Sequence, residues 1–494
     1  MTDAPFPHIA RPMTADSAIE LTDAVLAMAF VGDLSMGRAT DHSRRTACLA
    51  GLLAAALGAD AAGQNHARAV ALLRWSGCTA NAGGFAELLG DDIASREAMM
   101  AQTLPPLDAR TQSMIVPLAL IHCEISGDVA VSLGMPQAVV TGLRHAFERY
   151  DGKGMPQALD GADVSRAAFI VNAASDLEIL SRAHGRDSAL DFLRRQAGAK
   201  YPADIAALAV QHGPAWLDDI DAAPPDASQW RLADGRADAP AALTLLADVA
   251  ELKLPWLAGY SRRVAALAMQ TAARLDLDGD AQAQLQAAAL LHGIGRAALP
   301  NRLWDTPGPL TPDQWEQLRL MPYWTARAAR QIKGLSQAAD LASYAYERLD
   351  GSGYFRGASG AALPLPQRVL ATTVTLQALL EDRPWRPAHA LPDAARILRQ
   401  EAAAGRYDTM VAEAAIAAAG GDASAAPRRA ASSLSQRELD VLRQISLGAS
   451  NKEAARALNI SPSTVRTHVE SVFRKLECST RAAATLKALT AGIL

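Results

Sequence analysis

The chain has 494 residues, of which 50% are hydrophobic, so it is long enough for about three domains and apolar enough to bury packed cores. This composition excludes a chain that is disordered over most of its length. Aromatic residues make up only 5% and alanine dominates the apolar residues, which excludes an all-β or collagen-like protein. We therefore expect an all-α fold.

The charge is distributed unevenly along the chain. The tail from Arg428 to Leu494 carries 11 Lys and Arg residues against 5 Asp and Glu residues, whereas the chain before it carries 37 against 47. A basic tail on an acidic body is expected when only the tail contacts a polyanion such as DNA.

The cysteines and the N-terminus bear on the location of the protein. Four cysteines lack the CxxC spacing of a disulfide framework or a structural zinc site, which favours a reducing, cytoplasmic environment. The N-terminus lacks the pattern of a signal peptide, and the longest apolar run, Ala47 to Leu57, is too short to span a bilayer. We expect no membrane partner.

The first two thirds of the chain predict two helical bundles that share internal similarity. Apolar residues at steps of three and four predict helices at Ser43 to Leu57 and Ser261 to Leu275, and each helix opens with the same Ser-Arg-Arg motif. Further on, Glu148 to Gly154 matches Glu347 to Gly353, and the second copy reaches this motif after a shorter middle. The chain therefore contains a duplicated helical domain.

Three motifs of the second copy resemble a known family. His292-Gly293 follows an Ala-Leu-Leu run, Pro300-Asn301 comes next, and Glu347 to Tyr354 reads Glu-Arg-Leu-Asp-Gly-Ser-Gly-Tyr. Together they resemble the HD-GYP subgroup of the HD-domain, metal-dependent phosphohydrolases. The resemblance implies a centre in which histidines and carboxylates hold two or three metal ions, so that a bridging hydroxide attacks a phosphodiester.

Most of the ligand positions that this resemblance implies are occupied by other residue types. Where the family places His, His-Asp, His, His-His and Asp, the second copy has Tyr260, His292-Gly293, Met321, Ala345-Tyr346 and Val374. The first copy has His42, Arg74-Trp75, His122, Ala146-Phe147 and Asn172. Without the bridging Asp a two-metal site cannot be assembled. We therefore expect a pseudoenzyme with no catalytic residue, no metal and no cofactor.

Two sets of residues remain open to more than one interpretation. The residual metal candidates are His42, His122 and His292, although histidines without a carboxylate or thiolate partner are more often satisfied polar groups. The Glu-Arg-x-Asp-Gly-x-Gly turns are either a fold signature pinned by ion pairs, which we favour, or the site of a nucleotide-like ligand. The ligand-binding candidates are Glu148, Arg149, Asp151, Glu347, Arg348 and Asp350.

The C-terminal segment predicts a compact set of short helices. Ser435-x-x-Glu438 and Ser450-x-x-Glu453 are capping boxes that each begin a helix, and Gly448 ends the first of them. A third helix begins with Ser461-Pro462, and a fourth runs from Thr480 after a Ser479 cap. A partly basic third helix of this kind is what a helix-turn-helix places in the major groove.

This pattern resembles the LuxR-type DNA-binding domain across residues 434–494. The resemblance places Arg466, Thr467 and Glu470 at base-reading positions. It places Lys452, Thr464 and Lys475 where phosphate contacts are expected.

The sequence therefore predicts five segments. They are a degenerate HD-like first copy (1–212), a connecting segment (213–242), a degenerate HD-GYP-like second copy (243–419), a flexible linker (420–433) and a LuxR-type helix-turn-helix domain (434–494).

The main interpretation is a cytoplasmic transcriptional regulator whose tandem HD region senses a small-molecule or nucleotide ligand or a protein partner. It binds double-stranded DNA as a homodimer, because one small domain buries too little surface for a specific operator. The alternative is a metal-dependent phosphohydrolase or cyclic-dinucleotide phosphodiesterase fused to a DNA-binding domain, and a third interpretation is a protein-interaction scaffold. A flexible linker predicts control through dimer geometry or through masking of the third helix by the acidic body.

Overall fold

The structure is a computed structural model that describes residues 18–37, 39–223, 239–305, 308–420 and 434–494. The predicted flexible linker lies outside the described residues apart from Gly420, and so does residue range 224–238 of the predicted connecting segment. The described chain is helical throughout, with one two-stranded sheet.

The first copy is a bundle of helices that follows a short strand. Its elements are β1 (Ala18–Glu20), α1 (Leu21–Ser35), α2 (His42–Ala56), α3 (Ala61–Leu73), α4 (Ala82–Leu89), α5 (Asp92–Met100), α6 (Ala109–Ser132), α7 (Gln137–Arg144), α8 (Arg166–His184), α9 (Arg186–Gln196) and α10 (Ala203–Ala222). At the centre of this bundle, helix α2 packs against α3 and α8.

The second copy repeats this order with a shorter middle. Its elements are β2 (Pro240–Ala242), α11 (Leu243–Glu251), α12 (Tyr260–Arg274), α13 (Gly279–Leu291), α14 (Arg302–Asp305), α15 (Pro312–Arg319), α16 (Met321–Ala329), α17 (Ser336–Ala342), α18 (Leu365–Leu379), α19 (Leu391–Ala403) and α20 (Thr409–Ala419), with 3₁₀ turns at Pro255–Leu257, Ile294–Ala298 and Gly360–Ala362.

Matching local signals begin matching helices. The Asp60 side chain accepts a hydrogen bond from the backbone amide of Gly63 at the start of α3. Asp278, the equivalent residue of the second copy, does the same for Ala281 at the start of α13. Helices α2 and α12 also begin at equivalent positions, each just before the start that the sequence predicts.

The two copies are packed into one body. β1 pairs antiparallel with β2, with Ala18 opposite Ala242, and one continuous apolar core runs through both copies. At the interface the fully buried Lys253 donates to Asp92 at 2.5 Å. The two copies therefore form one packed unit and are not independent domains.

Helix α10 extends into the predicted connecting segment. It continues through Pro214 to Ala222, so helix covers Gly213 to Ala222. Proline removes one intrahelical hydrogen bond, and here the packing of buried Leu217 and Ile220 outweighs that loss.

Helix α6 has 24 residues and is apolar enough to cross a membrane by length and composition. However, 56% of its most apolar window is buried inside the protein, where it packs against α7 and against the C-terminal domain. It is a core helix of this body.

The C-terminal domain consists of α21 (Gln436–Ser446), α22 (Asn451–Leu458), α23 (Pro462–Leu476) and α24 (Arg481–Thr490). A small apolar core of its own holds these helices together. Helix α24 contributes to two cores, because Ala484 and Ala488 face the small domain while Ala483 and Leu486 join the core of the body.

Candidate ligand site and nucleic-acid interface

The ligand positions of the second copy are filled by aromatic and apolar groups. The Tyr260 hydroxyl donates to the Val374 carbonyl at 2.8 Å, so two of the positions are bonded to each other. His292 is fully buried, and burial lowers its pKa to about 3, which keeps the imidazole neutral. Among the described residues, no group of three or more His, Cys, Asp or Glu side chains could hold a metal ion. The residues present do not fit the metal centre that the family resemblance implies.

An arginine fills the space of the carboxylate that the resemblance places at position 293. A Cβ atom built on Gly293 would lie 2.0 Å from Nη1 of Arg296. The Arg296 guanidinium donates to the Tyr346 hydroxyl at 2.7 Å and lies over the rings of Tyr260 and Trp304. A positive charge therefore stands where a metal centre needs a negative one.

In the first copy the two histidines are engaged separately. The ring of Trp75 contacts both, with centroids 6.5 Å from His42 and 6.0 Å from His122. His42 Nδ1 lies 2.5 Å from a carboxylate oxygen of Glu178, whereas His122 Nε2 lies 2.7 Å from the Arg74 carbonyl. The structure does not bring the two imidazoles to a common point.

The two Glu-Arg-x-Asp-Gly turns share the same internal hydrogen bonds. The Glu148 carboxylate accepts from the backbone amides of Gln157 and Leu159 at 2.8 and 3.1 Å. Glu347 accepts from the amides at the same offsets, at 2.7 and 3.0 Å. Both glutamates are buried, so their carboxylates hold the turns together.

The arginines of the two turns have different surroundings. Arg149 donates two hydrogen bonds to Asp151, at 2.9 and 2.8 Å, which lower the pKa of Asp151 to about 2. Asp350 instead accepts from the backbone and the hydroxyl of Ser352, at 2.9 and 2.6 Å. The Arg348 side chain lines an open cavity.

This cavity, which we call the aromatic cavity, has a volume of about 570 Å³. Tyr346 and Tyr354 stack on its wall with centroids 5.3 Å apart and planes 11° apart, and Trp315 meets Tyr354 edge-on at 6.3 Å. Arg348 adds positive charge to the wall, whereas Arg319 donates to Glu316, which also lines the cavity, at 3.1 Å. Stacked rings and guanidinium groups are the partners that bases and phosphates find in proteins.

Sequence reasoning missed two buried carboxyl groups at equivalent positions. Asp33 accepts from the Ser43 hydroxyl at 2.6 Å, and Glu251 accepts from the Ser261 amide at 2.6 Å. Burial raises the pKa of both to about 7. The internal repeat was the available signal, because each acid stands at the same distance before the serine of a repeated Ser-Arg-Arg motif.

The predicted capping boxes of the DNA-binding domain are confirmed. Ser435 with Glu438 and Ser450 with Glu453 each make both hydrogen bonds of the box. The fourth helix differs from its prediction by one residue, because Thr480 rather than Ser479 is the N-cap.

The predicted base-reading side chains lie on one open face of α23. Arg466, Thr467 and Glu470 are all exposed. The Arg466 Nε donates to Glu470 at 2.9 Å along the helix. Within the described ranges the acidic body does not cover this face, so that part of the chain does not mask the third helix.

The predicted phosphate contacts have two kinds of environment. Lys452 and Thr464 are exposed at the starts of α22 and α23. Lys475 is partly buried and donates to Glu438 at 2.7 Å. Burial raises the pKa of Glu438, but hydrogen bonds from Lys475 and Ser471 outweigh it and hold the pKa at about 2. Lys475 therefore also stabilises the domain.

The DNA-binding domain docks on helix α6 of the first copy. The Glu124 carboxylate accepts from the amide and the hydroxyl of Ser479. Lys487 of α24 lies 3.6 Å from a carboxylate oxygen of Asp128. The contact uses α24 and the turn before it, and within the described residues it leaves the predicted base-reading face of α23 exposed.

Comparison with known proteins gives two family matches. Residues 244–411 match the family described as HD domain, and residues 432–488 match the bacterial regulatory proteins of the luxR family.

Three curated relatives illustrate these two parts. The 3'3'-cGAMP-specific phosphodiesterase 3 of Vibrio cholerae is 26% identical over 288 residues, which are 56% of this chain and 63% of that protein. The 3'3'-cGAMP-specific phosphodiesterase 1 of the same organism is 33% identical over 167 residues, 34% of this chain and 39% of that protein. The nitrate/nitrite response regulator protein NarP of Escherichia coli is 49% identical over 53 residues, 11% of this chain and 25% of that protein. This chain therefore spans less than two thirds of each relative.

A solved structure of a cyclic GMP-AMP-specific phosphodiesterase from V. cholerae is also similar. It aligns with a TM-score of 0.57 and 20% identity, covering 82% of this chain and 98% of that chain. At this identity the similarity shows the fold. The predicted all-α fold and the resemblance to HD and LuxR-type domains are confirmed.

The prediction that the chain is a pseudoenzyme is contradicted by these comparisons. Two of its relatives are named as phosphodiesterases that act on 3'3'-cGAMP. Replacement of the metal ligands was therefore not sufficient ground for excluding catalysis.

Proposed function

We propose that this chain, in which an HD domain is joined to a DNA-binding domain of the luxR family, is a transcriptional regulator whose HD region binds a cyclic dinucleotide. The observation that carries the ligand class is the aromatic cavity. Its volume of about 570 Å³ lies in the range of small-molecule sites, roughly 300–1,000 Å³. Its aromatic wall suits purine rings, and Arg348 suits a phosphate. The names of the relatives support the same ligand class.

We further propose a cytoplasmic, homodimeric protein. A DNA-binding domain needs access to DNA, and two copies double the contacts that one small domain makes with an operator. For the domain boundaries we propose the five-segment division predicted from the sequence with one change: the first copy ends at Ala222, the end of α10, instead of at residue 212.

Titration calorimetry of the full chain with 3'3'-cGAMP tests the ligand. We expect saturable binding, and we expect Arg348→Ala to weaken it by about tenfold or more, because a hydrogen bond to a charged group contributes about 1.5–3 kcal/mol. Arg274→Ala is the matched control, since Arg274 is exposed on α12, away from the cavity. Absence of binding, or equal loss in both variants, would remove the aromatic cavity from the proposal.

A second candidate function is hydrolysis of the same ligand, which the names of the relatives favour. The catalytic groups would have to differ from the metal ligands of the HD family, because Tyr260, Gly293 and Val374 stand at three of those positions. Incubation of the full chain with 3'3'-cGAMP and Mn²⁺ or Fe²⁺, followed by chromatography, distinguishes hydrolysis of the ligand from binding without hydrolysis. A linear product formed by the wild type and lost in Arg348→Ala would establish the enzyme, whereas bound but intact ligand would support a sensing role.

A further inference from the structure

A second cavity lies in the first copy, and three residues at ligand positions of that copy, Trp75, His122 and Phe147, are on its wall. It has a volume of about 70 Å³, and we call it the methionine cavity. Its wall includes Met36, Met100, Met155, Trp75, Phe85 and Phe147. It is separate from the aromatic cavity, which belongs to the second copy, and the proposed cyclic dinucleotide does not account for it.

The polar groups on its wall are already satisfied by the protein. His122 uses one ring nitrogen on the Arg74 carbonyl at 2.7 Å and lies with the other 3.6 Å from Sγ of Cys78. Arg96 donates to the Asn81 side chain at 2.6 Å and to the Cys78 carbonyl at 2.8 Å. A guest would find few free hydrogen-bonding groups, so the cavity favours an apolar molecule over water.

The wall is adaptable and can be reached from the surface. Methionine is unbranched and has three rotatable bonds, so it can reshape a cavity at low cost. Met99, Met100 and Met155 are partly exposed, as is Phe147. The access route therefore runs between helix α5 and the turn that follows α7.

Helix α6 connects this wall to the DNA-binding domain. Ala119 and His122 face the cavity. Glu124 and Asp128, further along the same helix, contact Ser479 and Lys487. A shift or rotation of α6 at the cavity therefore also moves the residues that contact the DNA-binding domain, because a helix moves as a stiff element.

We propose that the methionine cavity is a binding site for a small apolar molecule, no larger than a single aromatic ring, and that α6 relays its occupancy to the DNA-binding domain. The size limit follows from the volume: an apolar cavity of about 150 Å³ takes up benzene, so a cavity of half that volume needs the methionines to move for a ring of that size.

Thermal unfolding of the full chain during a benzene titration tests the site. We expect a saturable rise in Tm of about 2 °C at ten times the dissociation constant. Ala119→Leu fills the cavity and should abolish the rise, whereas Val131→Leu on an exposed position of the same helix should keep it. No saturable rise in the wild type, or an equal rise in Ala119→Leu, would overturn the site.

A cavity-enlarging variant guards against failure of Ala119→Leu to fold. Phe147→Leu should bind benzene several-fold more tightly than the wild type, and unchanged affinity would count against the site.

Hydrogen exchange of the α24 amides tests the relay. Benzene should change their exchange rates at least twofold in the wild type, and exchange rates unaffected by bound benzene would overturn the relay while leaving the site standing.

Discussion

The carboxylate of Glu124 accepts two hydrogen bonds from Ser479, one from its backbone amide at 2.6 Å and one from its hydroxyl at 3.0 Å. The two residues lie 355 positions apart, so the contact joins the first copy to the DNA-binding domain. It is open to solvent at Ser479, so its contribution is of the order of 1 kcal/mol. A contact of this strength can open without unfolding either partner.

Removal of this contact should loosen the DNA-binding domain. We expect Glu124→Ala and Ser479→Ala each to raise the hydrogen-exchange rates of α24 by severalfold, and the double variant to behave like either single one, because both remove the same interaction. Glu316→Ala on exposed α15 is the control. Additive effects of the two substitutions would show that the residues are not coupled.

The buried carboxyl of Glu251 predicts a dependence of stability on pH. Its pKa is about 7 in the folded chain against 4.5 as the ordinary value, because burial disfavours the carboxylate. The folded state therefore holds the proton more tightly, and stability is lost as the pH rises from 4.5 to 7, by about 3 kcal/mol at most.

Glu251→Gln imitates the protonated form. We expect denaturant unfolding to show the variant more stable than the wild type at pH 9 and similar to it at pH 4.5. A stability difference that is the same at both pH values would contradict the assignment.

The crowding of Gly293 by Arg296 predicts non-additive stability effects. Gly293→Ala should destabilise the chain by about 1–3 kcal/mol, since the new Cβ atom displaces a guanidinium that is bonded to Tyr346. The same substitution should cost much less in an Arg296→Ala background. Gly279→Ala, where the added atom meets open space, is the control for denaturant unfolding. Equal costs in both backgrounds would be inconsistent with this packing.

The open face of α23 predicts two different defects in DNA binding. Arg466→Ala should relax sequence preference by about 1–3 kcal/mol at one base pair, as expected for a base contact. Lys452→Ala should lower the affinity for all DNA sequences alike. It should also reduce the slope of log K against log salt concentration by about 1. Substitution of Lys452 tests a phosphate contact more cleanly than substitution of Lys475, because Lys475 also donates a hydrogen bond to Glu438. Anisotropy titrations with duplexes selected from a random pool measure both, and indistinguishable variants would show that α23 is docked differently.

Local signals made much of the fold predictable. Helices α2 and α12 form where the apolar steps predicted them, and the Ser-x-x-Glu boxes at Ser435 and Ser450 form as expected, because caps act over three or four residues. Pro214 was misleading, since the tertiary packing of α10 outweighs the local cost of a proline.

The interior of the sites was less predictable for a physical reason. The motif alignment showed that the residue types at the ligand positions had changed, but not that Arg296 would fill the space beside Gly293 or that Trp75 would contact both His42 and His122. Those relationships depend on side chains that are distant in sequence. The burial of Asp33 and Glu251 likewise appears only once the helices are packed.

The most direct test of the proposed regulator is its affinity for DNA with and without the ligand. Full-length protein is titrated onto a duplex selected from a random pool, in the absence and in the presence of saturating 3'3'-cGAMP, at one fixed salt concentration. If the HD region regulates the DNA-binding domain, the dissociation constant should change by at least fivefold, the lower end of typical allosteric coupling of about 1–3 kcal/mol. The change should disappear in Arg348→Ala. An identical dissociation constant in both titrations, with the ligand shown to be bound, would contradict the account.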